Sequence, residues 1–326
     1  MNGALPALVL HSDCALHDTG WGHPEHMGRL PAIVAAIERD SPALIDRIAQ
    51  RQPSPASESA ILRVHDAGYV AYVRQTAARS VAERALLHLD PDTVVSPASW
   101  NAALAAAGCI VEAASLVARG DSPSAFALSR PPGHHALPGV AMGFCLFNNV
   151  AVAARALQAE HGVGRVLIID WDVLHGNGTQ DVFYEDPSVY YLSLHQSPWY
   201  PGTGRPDERG AGSGRGTNRN VTLAAGTSAV DYLSAFEAAL DATLAEFQPE
   251  MILVSSGFDC MRGDPLGRLL LEPRDLHAMT RMVLERARAC GAVGPAFTVE
   301  GGYAPERVGA GVVDVLRALA GLPPHD

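Results

Sequence analysis

Six short apolar runs constrain this chain most. ALVLHSD (7–13), AFALSR (125–130), VLIIDWD (166–172), VYYLSLH (189–195), MILVSSGFD (251–259) and AFTVEGGY (296–303) each lead into polar residues. Short continuous apolar runs of this kind, without polar alternation, read as strands buried on both faces. Segments with helical spacing lie between most of them. They are 99–120, with Ser99 as N-cap and Gly120 as stop, then 147–162, 229–247 and 273–291. Strand–helix alternation predicts an α/β fold, with a mainly parallel central sheet flanked by helices on both faces. No low-complexity linker and no internal repeat divides the chain, so residues 1–326 read as one domain.

Composition narrows the function. A formal net charge of −11 lacks the basic footprint of a nucleic-acid binder. All 24 basic residues are arginine, which excludes a P-loop lysine, a Schiff-base lysine and a lysine general base. Five cysteines without a CxxC read as reduced thiols. The opening MNGALPALVLHSD has no charged n-region, and no apolar run is read as a membrane span. The expectation is a cytoplasmic protein without membrane or nucleic-acid partners.

The polar residues collect beyond the carboxyl ends of the strands, where open α/β sheets form their ligand crevice. In DWDVLHGNGTQ (170–180), strand alternation would point Asp170, Asp172 and position 174 together. Asp172, with Asp259 from SGFD, offers a cation two carboxylates, but the third place is Leu174, where a catalytic zinc would want a nitrogen. His175 is directed away by the same alternation and reads as structural. RPPGHHA supplies His134 and His135, with Asp170 and Asn177 at the same rim to orient imidazoles for acid–base work. EGGY places Tyr303 after Gly301 and Gly302, as a phenol able to donate to a developing oxyanion, or as an ordinary packed ring. Phe144 and Tyr200 are pocket walls or core aromatics, and Cys145 reads as buried and inert. The glycine-dense GTGRPDERGAGSGRG (202–216) lacks the strand–helix context of a phosphate cradle and reads as a surface loop.

Taken together and in order, HPEHMGRL, LDPDTVVSPASWNAALAAAG, RPPGHHA, GFCLFNNVAVAA, DWDVLHGNGTQ, SLHQSPWYPGTG, SGFDCMRGDPLG and EGGY strongly resemble the histone deacetylase family. The nearest likeness is to its class II and bacterial members, which include acetylpolyamine amidohydrolases, and it covers residues 7 to 320. The resemblance implies the arginase/deacetylase fold and hydrolysis of an acetamide by a zinc-bound water, with an acetylated amine or acetyl-lysine as substrate. It makes Asp172 and Asp259 metal ligands and His135 the general base paired with Asn177. His134 pairs with Asp170, and Tyr303 polarises the acetyl carbonyl. Gly143, Phe144, Tyr200 and Leu266 would line the acyl channel, Asp92 would grip substrate at the rim, and Gly301 and Gly302 would lie at the substrate. A structural potassium at Asp170, Asp172, Ser193 and Leu194 is also implied.

Leu174 departs from that pattern, since the family carries a zinc-ligating histidine there. Leucine has no lone pair, and two carboxylates alone make a poorer zinc site. The expectation is deacetylase-type function with weakened zinc binding. The alternatives are a non-catalytic acyl binder and, less well matched, a two-metal ureohydrolase.

Overall fold

The computed structural model describes residues 4–325. Its strands are β1 (Ala7–Leu10), β2 (Ala49–Arg51), β3 (Leu87–His88), β4 (Val94–Val95), β5 (Ala125–Leu128), β6 (Val166–Asp170), β7 (Val189–Gln196), β8 (Asn218–Leu223), β9 (Met251–Ser256) and β10 (Val293–Val299). Eight of them form a wholly parallel sheet in the order β2-β1-β5-β10-β9-β6-β7-β8, while β3 and β4 make a separate antiparallel pair. The helices are α1 (Arg29–Leu44), α2 (Glu58–Ile61), α3 (Ala67–Glu83), α4 (Ser99–Ala118), α5 (Asn149–His161), α6 (Asn177–Phe183), α7 (Ala229–Glu246), α8 (Pro273–Cys290) and α9 (Pro305–Leu319). One helical layer joins α4 and α5; the other joins α1, α9, α8 and α7, and the sheet lies between them.

All six expected strands are present, and the reason they read clearly is burial. Every residue of β5, β6, β7 and β9 is buried, so the apolar runs are continuous. β2 and β8 escape that signal because they are the sheet edges. NRNVTL in β8 alternates buried and half-exposed positions, with Asn218 and Asn220 turned inward.

Three sequence expectations need correction. Ser99 is not the N-cap of α4, which is Ala98; the Ser99 hydroxyl lies inside the helix and accepts from Ser96 N–H at 2.7 Å. β6 ends at Asp170, so Asp172 and Leu174 stand in the bend beyond it and owe their directions to local hydrogen bonds. Finally, α4 is long and apolar enough to cross a membrane by length and composition. Its alanine-rich surface, 72% buried over the most apolar window, packs on β1, β5 and β10 as a core helix does.

Aromatic rings from β5, β10 and the residue just beyond β6 meet in the core. Phe126 stacks on Phe297 at 6.4 Å between centroids, and Trp171 meets Phe297 at 5.9 Å. All three are fully buried. Phe297→Ala should therefore cost about 3–5 kcal/mol, from lost burial plus the cavity left behind, read as a lower urea midpoint with unchanged slope.

Candidate active site

Strands β5, β10, β9 and β6 are consecutive neighbours, so the loops at their carboxyl ends meet at one place. They carry His134 and His135, Glu300 to Tyr303, Asp259, and Asp170 with Asp172. His134 Nδ1 lies 3.0 Å from Asp170 Oδ2, and the Tyr191 hydroxyl donates to the same oxygen at 2.9 Å. An ionised carboxylate only accepts, so Nδ1 of His134 carries the proton. His135 Nδ1 lies 2.8 Å from Asn177 Oδ1, whose Nδ2 is directed to the Met142 sulfur. His135 therefore also donates through Nδ1, which leaves a lone pair on Nε2. That Nε2 is buried with no hydrogen-bond partner.

The two imidazoles are held apart electrostatically. Burial disfavours charge on His134, but the carboxylates of Asp170 and Asp172 overcome it and raise the group to about 10. His135 is driven well below the usual histidine range, by burial first and then by the charge on His134. The ring centroids are 4.0 Å apart, so charge on one imidazole opposes charge on the other.

Asp172 accepts Leu174 N–H on Oδ1 at 2.9 Å and Gly301 N–H on Oδ2 at 2.7 Å. Asp259 accepts Val173 N–H on Oδ1 at 2.9 Å, while its Oδ2 is buried without a partner. A Cβ on Gly301 would stand 2.0 Å from Asp259 Oδ2 and 2.7 Å from Asp172 Oδ2, so only glycine allows this approach. Burial pushes the Asp259 carboxyl well up, and the neighbouring Asp172 pushes it further. An orphaned oxygen beside a second carboxylate is half of a cation site. The other half is missing: among the described residues no group of three or more His, Cys, Asp or Glu is placed to hold a metal ion. The donor set does not fit a three-ligand zinc centre, because Leu174 contributes only a backbone N–H.

A pocket of about 240 Å³ is lined by Asp92, Gly143, Phe144, Leu174, Trp199, Tyr200 and Leu266. Asp92, Gly143, Phe144, Tyr200 and Leu266 are thus together, and the Leu174 side chain forms part of the wall. The Tyr200 ring stands edge-on to His135 at 5.2 Å, and Phe144 edge-on to Tyr303 at 5.7 Å. Gly301 and Gly302 do not line this pocket. Their backbones are occupied beneath it, by Asp172 and by Arg29 respectively. Trp199 was missed from the sequence, although it precedes Tyr200; its indole N–H donates to Leu266 O at 2.7 Å. His175 is buried and bonded to Thr203 and Gln180, away from the carboxylates. Cys145 is fully buried, with its thiol directed to Gly143 O. Asp170 and Ser193 are register partners on β6 and β7, and Leu194 follows.

Beneath the site lies a buried ionic cluster that sequence reading did not find. Glu25 Oε1 accepts from Arg29 at 2.8 Å and from Arg130 at 2.6 Å. Arg29 also donates to Gly302 O and Glu300 O, and its guanidinium lies 5.0 Å from the Tyr303 ring centroid. Glu300 in turn accepts from Gly133 and His134 N–H and from Ser255 Oγ. The only sequence signal was HPEHMGR and RPPG carrying charges beside apolar strands.

The histone deacetylase domain matches residues 23–319. The chain belongs to the histone deacetylase family. It is 36% identical over 325 residues to histone deacetylase 14, chloroplastic, of Arabidopsis thaliana, covering 96% of this chain and 77% of that protein. It is 37% identical over 300 residues to the histone deacetylase-like amidohydrolase of Pseudomonas aeruginosa, covering 92% and 76%. A probable deacetylase of Methanothermobacter thermautotrophicus matches at 37% over 319 residues, covering 96% and 91%. Among solved structures, the HDA15 HD domain superposes with a TM-score of 0.91 at 35% identity, covering 99% of this chain and 90% of that one. The family supports a deacetylase or amidohydrolase and, with it, acetylated substrates.

The cluster beneath the site yields a stability prediction. Burial raises the Glu25 carboxyl, but Arg130 and Arg29 outweigh it and hold Glu25 below its ordinary value. A depressed carboxyl contributes stability above its unfolded pKa and loses it as pH falls through the folded value. Glu25→Gln should cost about 3–5 kcal/mol at pH 7, since two buried guanidinium groups lose their counter-ion. In urea unfolding, the gap between parent and variant should narrow as pH drops below roughly 4.3.

Proposed function

We propose that this chain is an acetyl-amide hydrolase of the acetyl-lysine or acetylpolyamine class, whose zinc site is weakened by Leu174. The observation that carries the reading is the placing of two buried, partnerless atoms, His135 Nε2 and Asp259 Oδ2, behind an apolar pocket whose wall residue Tyr200 meets the His135 ring edge-on at 5.2 Å. Buried polar atoms without partners are costly, and they persist where a ligand completes them. His135, neutral and fixed by Asn177, accepts a proton at Nε2 and later returns it to the leaving amine. His134, fixed by Asp170, stays charged and depresses its neighbour. Burial keeps the Tyr303 phenol protonated, despite the nearby Arg29 charge, as a donor to the acyl oxygen. Phe144 and Tyr200 flank the acyl group, and Asp92 at the mouth meets the amine side of the substrate.

A zinc ion would take Asp172 and Asp259, and it is zinc that makes a hydroxide nucleophile available near neutral pH. The third protein ligand is absent, because Leu174 offers only a backbone N–H. Potassium at Asp170, Asp172, Ser193 and Leu194 belongs to the same proposal, supported by their adjacency at the ends of β6 and β7. So does a cytoplasmic location, supported by thiols that are all unpaired. A non-catalytic acyl binder is the second reading, favoured by one feature: Leu174 adds its methyls to the pocket wall.

Leu174→His distinguishes the two. In the hydrolase reading, metal analysis finds substoichiometric zinc in the parent and near one equivalent in the variant. Cleavage of an acetyl-lysine amide should rise by more than the ~10–100-fold typical of a lost outer-shell partner. Zinc uptake without cleavage would favour the binder. In the histidine-restored protein, His135→Ala should lower kcat by about 10²–10⁴-fold with zinc content unchanged.

A further inference from the structure

Between β7 and β8 the chain runs some twenty residues, 197–217, with only a short turn of helix inside. Long loops without their own secondary structure are mobile unless tied down. This one supplies Trp199 and Tyr200 to the pocket wall. A single side chain organises its attachment. Gln180 Oε1 accepts from Asn218 Nδ2 at 2.9 Å and Asn220 Nδ2 at 2.8 Å, and lies 3.0 Å from His175 Nε2. Gln180 Nε2 donates to Glu208 Oε2 at 2.7 Å.

Each of these partners grips the loop. Glu208 Oε2 also accepts Gly204 N–H at 3.1 Å, and His195 Nε2 lies 2.9 Å from Gly204 O. His175 Nδ1 is 2.8 Å from Thr203 Oγ1. Asn218 and Asn220 donate to the carbonyls of Glu208 and Arg205. Gly204, at φ +82°, sits so close that a Cβ would be 2.5 Å from the His175 ring and 2.6 Å from His195 Nε2. The grip reaches the pocket through one turn, since Gly202 N–H donates to Trp199 O at 2.9 Å.

Gln180 lies on α6, three residues after Asn177, the partner of His135. Positions three apart share a helix face, so one seven-residue helix fixes both the imidazole and the loop opposite it. We propose that Gln180 is a positioning residue that holds the Trp199–Tyr200 wall of the pocket against the His135 side. The consequence for substrate rests on the acyl-pocket reading above; the consequence for the loop does not.

A partner swap tests this. Gln180→Glu keeps the acceptor and the shape but sets a carboxylate against Glu208, whereas adding Glu208→Gln restores a donor–acceptor pair between the two side chains at the cost of the Gly204 N–H bond that Glu208 Oε2 accepts. Amide hydrogen exchange across 199–210 should rise about tenfold or more in the single variant, with core β9 unchanged, and fall back severalfold in the double variant at every residue but Gly204. Tryptophan emission should shift and recover in parallel. The dissociation constant of an acetyl-lysine aminocoumarin amide should rise several-fold in the single variant and recover in the double. Unchanged loop exchange, exchange raised equally in β9, or failure of the double variant to recover would each overturn the proposal. Rescue of loop exchange with no binding of the amide by any variant or by the parent would uphold the positioning role and overturn the acyl-pocket reading instead.

Discussion

Glu25, Asp170, Asp172, Asp259 and Glu300 are all fully buried within one region, and the surrounding structure is arranged to answer their charge. Carboxylates removed from water must be paired, hydrogen-bonded or protonated. Each has a different answer. Arg29 and Arg130 clasp Glu25; His134 and Tyr191 bond Asp170; backbone N–H groups of Leu174 and Gly301 serve Asp172. Glu300 is spread over Gly133, His134 and Ser255, with burial raising it to about 7. Asp259 Oδ2 and Glu25 Oε2 each remain without a hydrogen-bond partner. The loops that follow β5, β6, β9 and β10 take their conformations from satisfying these groups, which is why glycines recur in them.

The imidazoles are oriented by Asp170 and Asn177 and the channel is apolar, while Leu174 offers Asp172 only its backbone N–H. The isobutyl group of Leu174 forms part of the apolar wall shared with Phe144, Trp199, Tyr200 and Leu266.

Much of the site was legible because its chemistry is concentrated in short motifs. PPGHH, DWDV, SGFD and EGGY each mark a strand end, and strand order brings those ends together. The ionic cluster was not legible. Glu25 and Arg29 share one segment while Arg130 lies more than a hundred residues away, and nothing in HPEHMGR distinguishes a buried arginine from a solvated one. Trp199 was overlooked beside Tyr200 for a related reason: which ring of a WY pair faces a pocket depends on the loop's path. The edge strand β8 stayed hidden because a half-exposed strand lacks the continuous apolar run that marked its neighbours.

From the residues alone followed an α/β chain whose buried strands deliver acids, histidines and a phenol to one rim, with a leucine beside the two aspartates. Burial periodicity and side-chain chemistry are local properties, and they are written in the order of the amino acids. Tertiary structure decided which buried charges are neutralised by which partners, where the pocket walls run, and how Gln180 ties a glycine-rich loop to the sheet. Those outcomes depend on contacts between distant segments, whose distances and desolvation exist only once the sheet has formed.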